Sequence, residues 1–160
     1  MTITYNDIMA MGFRIGTDIK QTTIELALEA ALLYYVQPSM EAADFDALMD
    51  LQDTDVLVKG GKTTGTPPHY VAGLKKGLGY IAYAELLRMN INATTFGSVQ
   101  KSDEFSTNVD PSEQIRYFLT IGLQYVREVV KILGYRWHAV TGVARETYYT
   151  RKGERHHGTF

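Results

Sequence analysis

Residues 110–134 read DPSEQIRYFLTIGLQYVREVVKILG, and residues 67–90 read PPHYVAGLKKGLGYIAYAELLRMN. The first stretch carries helix signals at both ends. Asp110 suits the N-cap, Pro111 the first helical position, Glu113 the first turn and Gly134 the residue just past the end. Between them Ile115, Phe118, Leu119, Gly122, Val126, Val129, Val130 and Leu133 recur at the helical period and form one apolar face. In the second stretch Val71, Leu74, Leu78, Ile81 and Leu86 trace a buried stripe, which predicts a helix opening at Pro67-Pro68 and running to about Asn90. Gly73, Gly77 and Ala84 lie beside that stripe. Each mid-helix glycine costs about 1 kcal/mol relative to alanine, so close backbone approach must return more than that. Gly122 is the natural contact, and the two helices are expected to lie antiparallel. Lys75, Lys76, Glu85 and Arg88 interrupt any apolar run of membrane-spanning length, so no membrane partner is expected.

Working outward, Thr4 and Asp7 form a capping-box pattern, with Ile3 placed to staple onto Ile8, and a short helix should close at Gly12. Thr22-Thr23-Ile24-Glu25 repeats the pattern ahead of an Ala/Leu-rich run to Val36. Apolar residues lie on most sides of that run, which predicts the most buried helix, ended by Pro38. Ser39 could cap a further helix bearing Met40, Ala43, Ala47, Leu48 and Leu51 on one face and acids on the other. Together these signals predict an all-α protein. Its helical bundle of about four to five helices occupies 1–134, a β-hairpin-like loop projects at 91–109, and an extended C-terminal arm follows at 135–160.

The 160 residues suit one core, and the balance of 16 Lys and Arg against 18 Asp and Glu is close to neutral. Its distribution is not even. From Gln21 to Val58 there are acids and no Lys, Arg or His, including Asp44, Asp46 and Asp50. Such a run is either a solvated face or an electronegative surface turned toward a channel or a basic partner. The arm has the opposite sign: Arg136, Arg145, Arg151, Lys152 and Arg155 outnumber Glu146 and Glu154. Trp137, Tyr148, Tyr149, Arg151, Arg155 and Phe160 are its candidate anchors on a partner. In the loop Phe96, Val99 and Phe105 either fold back on the domain or meet a neighbouring subunit.

Sites of chemistry are not legible. Zero cysteines exclude disulfides and thiolate metal sites. Val56 to Gly65 imitates a phosphate loop but has Val56 where the motif needs glycine, and Gly65 with two prolines where it needs a helix, so a loop with a short Val56–Val58 strand is expected instead. His156-His157, His69 and His138 lack metal-ligand spacing, and no nucleophile motif stands near a histidine. No catalytic residue, cofactor or metal is therefore expected. Met1-Thr2-Ile3-Thr4 shows no basic or apolar leader pattern, so a place in the cytoplasm of the cell that makes the chain is expected.

This order of parts resembles the small all-helical head-tail connector (adaptor) proteins of tailed bacteriophages over Ile3 to Leu133. The tract Thr95 to Ser106, Thr-Phe-Gly-Ser-Val-Gln-Lys-Ser-Asp-Glu-Phe-Ser, is similar to connector-like proteins of phages infecting Bacteroidetes, including crAss-like phages. The resemblance implies a virion structural protein and not an enzyme. Twelve copies would form a ring beneath the portal protein, each with its arm in a portal groove, joining further neck or tail proteins while genome DNA passes through the lumen. An acidic lumen carrying Asp44, Asp46 and Asp50 would suit that passage. The alternative from another class is a nucleic-acid-binding accessory protein acting through its basic, aromatic tail.

Overall fold

The structure, a computed structural model, describes residues 2–13, 15–16, 19–89 and 111–138. Among them the α-helices are α1 (Tyr5–Ala10), α2 (Gln21–Ala31), α3 (Ala42–Met49), α4 (Val56–Lys59), α5 (Leu74–Arg88) and α6 (Pro111–Ile132). A two-stranded antiparallel sheet pairs β1 (Gly61–Lys62) with β2 (Tyr70–Val71), Gly61 facing Val71 and Lys62 facing Tyr70. The described residues are thus helical with one small hairpin. That hairpin lies at 61–71, whereas the expected projecting loop at 91–109 falls outside the described residues.

The centre of the fold is α5, which touches α1, α2, α4 and α6. Leu74, Leu78, Ile81, Ala82, Ala84 and Leu86 are fully enclosed, so α5 is apolar nearly all round, as a central helix must be. α6 is amphipathic and lies across it with Val126, Val129 and Val130 buried. The pair is antiparallel: Lys76 and Tyr80 both reach the ring of Tyr125, at 5.7 and 5.6 Å, while Tyr83 reaches back to Phe118 at 5.1 Å. Glycine sets the separation. A Cβ on Gly122 would stand 2.6 Å from Ile81 Cγ1 and 2.8 Å from the Gly77 carbonyl oxygen. The expected contact between Gly122 and the glycine strip is present, through Gly77.

Several boundaries differ from expectation. The helix predicted from Pro67 begins at Leu74, because Tyr70–Val71 pairs as a strand and Gly73, at φ +91°, turns the chain into the helix. Gly73 must be glycine, since a Cβ there would lie 2.4 Å from the Gly60 nitrogen. Val56–Val58 forms a helical turn and not a strand, its first N–H groups gathered by Asp55, which accepts from Leu57 N at 2.8 Å. Thr22 and Thr23 sit inside α2, which starts at Gln21 with no side-chain cap. Ser39 is buried and donates to the Tyr35 carbonyl at 2.6 Å, so it closes the preceding helix, and Glu41 stands at the N-cap of α3.

Other local signals hold as read. Thr4 and Asp7 make the reciprocal capping box, and Ile3 and Ile8 are both fully buried. α6 ends in a Schellman motif, in which Tyr135 N donates to Val130 O at 3.0 Å and Gly134 N, at φ +77°, donates to Lys131 O at 3.1 Å. Phe13, stacked on Tyr83 at 4.2 Å and edge-on to Phe118 at 5.3 Å, pins the segment after α1 to the α5–α6 pair.

Candidate interaction surface

Where α2 and the turn that follows it face outward, apolar side chains remain in solvent. Leu26 is 59% exposed, Leu33 54% and Tyr34 57%, which makes this the reverse of the expected most-buried helix. The inward side is Ile24, Ala27 and Ala31, of which the two alanines are small enough for α2 to lie close on α5. Leu26 and Leu33 stand seven residues apart, two turns along the same face. Beyond Ala31 the chain widens into a π turn, Leu32–Val36, and a 3₁₀ turn, Gln37–Ser39. The π turn shifts the side-chain phase. In an unbroken α-helix Val36 would share the exposed face of Glu29, seven residues earlier; instead Val36 is fully buried.

Beside this face runs a groove of about 450 Å³, floored by Ile3, Leu28 and Leu32 and flanked by Leu33, with the exposed carboxylates of Glu25 and Glu29 on its rim. An apolar floor under a rim whose charged groups are the carboxylates Glu25 and Glu29, with Thr2 and Gln37 beside them, can accept an apolar or aromatic side chain and a neighbouring cation together. Outside the groove, the turn after α2 is tied to α5 by Tyr35, whose hydroxyl donates to Glu85 Oε1 at 2.8 Å and accepts from Arg88 at 2.5 Å, while Arg88 also reaches Glu85 at 2.8 Å. Glu85 is thereby the one acid buried among the described residues, and it has both a cation and a hydroxyl to satisfy it.

The predicted site residues distribute as follows. Asp44, Asp46 and Asp50 lie on or at the end of α3; Asp46 and Asp50 are exposed and Asp44 is half-buried. Among the described residues none of the three forms an ion pair. Trp137 packs against its own domain: its ring is half-buried, Arg127 lies over it at 5.3 Å, and Val130 and Tyr135 line the same hollow. The indole N–H is enclosed without a hydrogen-bond partner. The chain therefore does not leave the bundle at Tyr135. It is held as far as His138, whose N–H donates to Ser39 O at 2.7 Å and whose Nε2 lies 3.7 Å from Glu41. Tyr148, Tyr149, Arg151, Arg155, Phe160, Phe96, Val99 and Phe105 lie outside the described residues.

Three phenol or carboxyl groups are shifted. Burial pushes the Tyr83 hydroxyl up; burial also raises Tyr80, helped by Tyr125 and Tyr117. Burial would raise Asp7, but the hydroxyl and N–H of Thr4 and the ammonium of Lys75, 3.1 Å away, outweigh it and hold the carboxyl below its ordinary value. All three have structural partners and none faces the groove. Among the described residues no cluster of His, Asp and Glu could hold a metal ion, and no helix is long and apolar enough to cross a membrane. Comparison with protein-family models, with curated proteins and with solved structures finds no match to this chain.

Proposed function

We propose that this chain is a structural subunit of a larger assembly, a head-tail connector protein of a tailed bacteriophage. What supports the reading best is the outer face of α2. Leu26, Leu33 and Tyr34 stand in solvent beside an acid-rimmed groove, on a domain whose central helices meet closely at Gly77 and Gly122. Contiguous apolar surface of this kind, edged by charge, is what subunit contacts are made from. In a ring each copy offers one patch to the next copy's different patch, and such heterologous contacts close when the rotation per subunit allows it.

In this reading the copies form a ring, with twelve implied by the resemblance, seated under the portal protein in the virion neck. Residues 139–160 reach the portal through Tyr148, Tyr149, Arg151, Arg155 and Phe160, and 91–109 reach a neighbour through Phe96, Val99 and Phe105. The α3 carboxylates Asp44, Asp46 and Asp50 line a lumen through which DNA slides, since like charge keeps a duplex from adhering. The role is structural, without catalysis. The test replaces Leu26 and Leu33 together by lysine, which leaves the buried side of α2 intact. Particles assembled in the presence of the parent chain should contain it in multiple copies, and the variant should be left behind as a folded monomer. Equal incorporation of both would overturn the proposal.

A further inference from the structure

The groove beside α2 has a candidate occupant in the same chain. We infer that residues 139–160 dock in it and cover the Leu26–Leu33 face until assembly displaces them; this rests on the reading of that face as a contact surface.

Charge is the first ground. The rim is Glu25 and Glu29, inside a run from Gln21 to Val58 that contains no Lys, Arg or His. Residues 139–160 supply Arg145, Arg151, Lys152 and Arg155 against Glu146 and Glu154. The same residues supply apolar partners for the floor of Ile3, Leu28 and Leu32 in Val140, Val143, Tyr148 and Tyr149. α6 and α5 carry mixed charge, with Lys75, Lys76 and Arg88 beside Glu85, and Arg116, Arg127 and Lys131 beside Glu113 and Glu128. α3 is acidic too, with Asp44 and Asp46, and what the α2 side adds to its carboxylates is the apolar floor of the groove.

Position is the second ground. The hydrogen bond from His138 N to Ser39 O, with the imidazole near Glu41, anchors the start of this segment at the end of the helical run whose Gln37 closes the groove. From Gln37 back to Glu25 is about 18 Å at about 1.5 Å per residue. An extended chain covers about 3.3 Å per residue, so Arg145 can stand beside Glu29 or Glu25, with slack for Tyr148 and Tyr149 to turn onto the floor. A tether this short gives the docked form an effective concentration of order millimolar, which favours the chain's own segment over a second copy's in dilute solution. A subunit built this way stays monomeric when free and exposes its apolar face where a partner takes residues 139–160 away.

The chain has no cysteine, so a single nitroxide can be placed by Thr150→Cys in the otherwise unaltered protein. In the dilute, isolated full chain the methyl resonances of Leu28, Leu32 and Leu33 should be broadened. The broadening should fall severalfold in the Glu25→Lys, Glu29→Lys variant, whose changes are both at exposed positions. A mixture of isotope-labelled chain lacking the nitroxide with unlabelled nitroxide-bearing chain should stay sharp. Sharp methyls in the spin-labelled chain, broadening that survives the two lysines, or broadening that appears in the mixture and so comes from a second copy would each overturn the inference. The copy number in assembled particles is read separately, so a failure here does not decide the connector reading.

Discussion

Gly122→Ala is the sharpest probe of what holds the domain together. In a free helix the change would stabilise by about 1 kcal/mol. Here the added Cβ would meet Ile81 Cγ1 at 2.6 Å, the Gly77 carbonyl oxygen at 2.8 Å and the Ile81 nitrogen at 3.0 Å. Two of those three atoms belong to the backbone of α5, so a rotamer change cannot relieve the clash, and α6 has to lift away from its partner. Overpacking a core typically costs about 1–3 kcal/mol, and contact with backbone places this site at the upper end. Subtracting the propensity gain leaves a net loss of about 2 kcal/mol. For a chain of this size that lowers Tm by about 4–8 °C. Gly79→Ala is the internal control. Its new methyl meets only the sulfur and terminal methyl of Met11, at 2.5 and 2.6 Å, and that flexible side chain can swing aside, so its effect should stay within about 1 kcal/mol of the parent. Thermal and urea unfolding followed by circular dichroism measures both. A Gly122→Ala protein as stable as the parent, or the same loss in Gly79→Ala, would refute the close-packed helix pair.

Asp7 titrates below its ordinary value in the fold, so the stability it contributes is fully present above about pH 4 and is lost as pH falls through its folded value. Asp7→Asn should therefore weaken the protein at neutral pH and flatten its acid unfolding below about pH 4, as read by urea midpoints across pH; an unchanged acid profile would contradict the capping box and Lys75 pairing. Trp137 buries an indole N–H with no partner, so Trp137→Phe, which keeps most of the packing and removes the orphan donor, should change stability by less than about 1 kcal/mol. Trp137→Ala should cost about 2–3 kcal/mol, at the lower end for a half-buried ring. Equal losses in the two variants would show that the ring's packing is not what matters.

Much of the fold is legible because its signals are local. The Thr4–Asp7 box, the Gly134 ending of α6 and the meeting of Gly77 with Gly122 each follow from a few neighbouring residues or one helical face. The misplaced start of α5 has a non-local cause: Pro67-Pro68 is a sound helix opening, but Tyr70–Val71 is captured by Gly61–Lys62 and the helix waits for Gly73. The exposed apolar face of α2 was hidden for a related reason. An Ala/Leu-rich helix with apolar residues on most sides reads as buried, yet its inner side is satisfied by Ile24, Ala27 and Ala31, leaving Leu26 and Leu33 outside. Glu25 and Glu29 beside those leucines were the available signal, since a carboxylate seldom shares a fully buried face. Nothing local could show that Trp137 returns to the bundle, because its hollow is assembled from α6 and the Schellman turn.

Electron cryomicroscopy of the assembled particle tests the central claim most directly. The connector account predicts a ring of copies of this 18.0 kDa chain in the neck, between portal and tail, with Leu26 and Leu33 of each copy covered by a neighbouring chain. A particle whose neck lacks the chain, or a ring in which the outer face of α2 still stands in solvent, would contradict it.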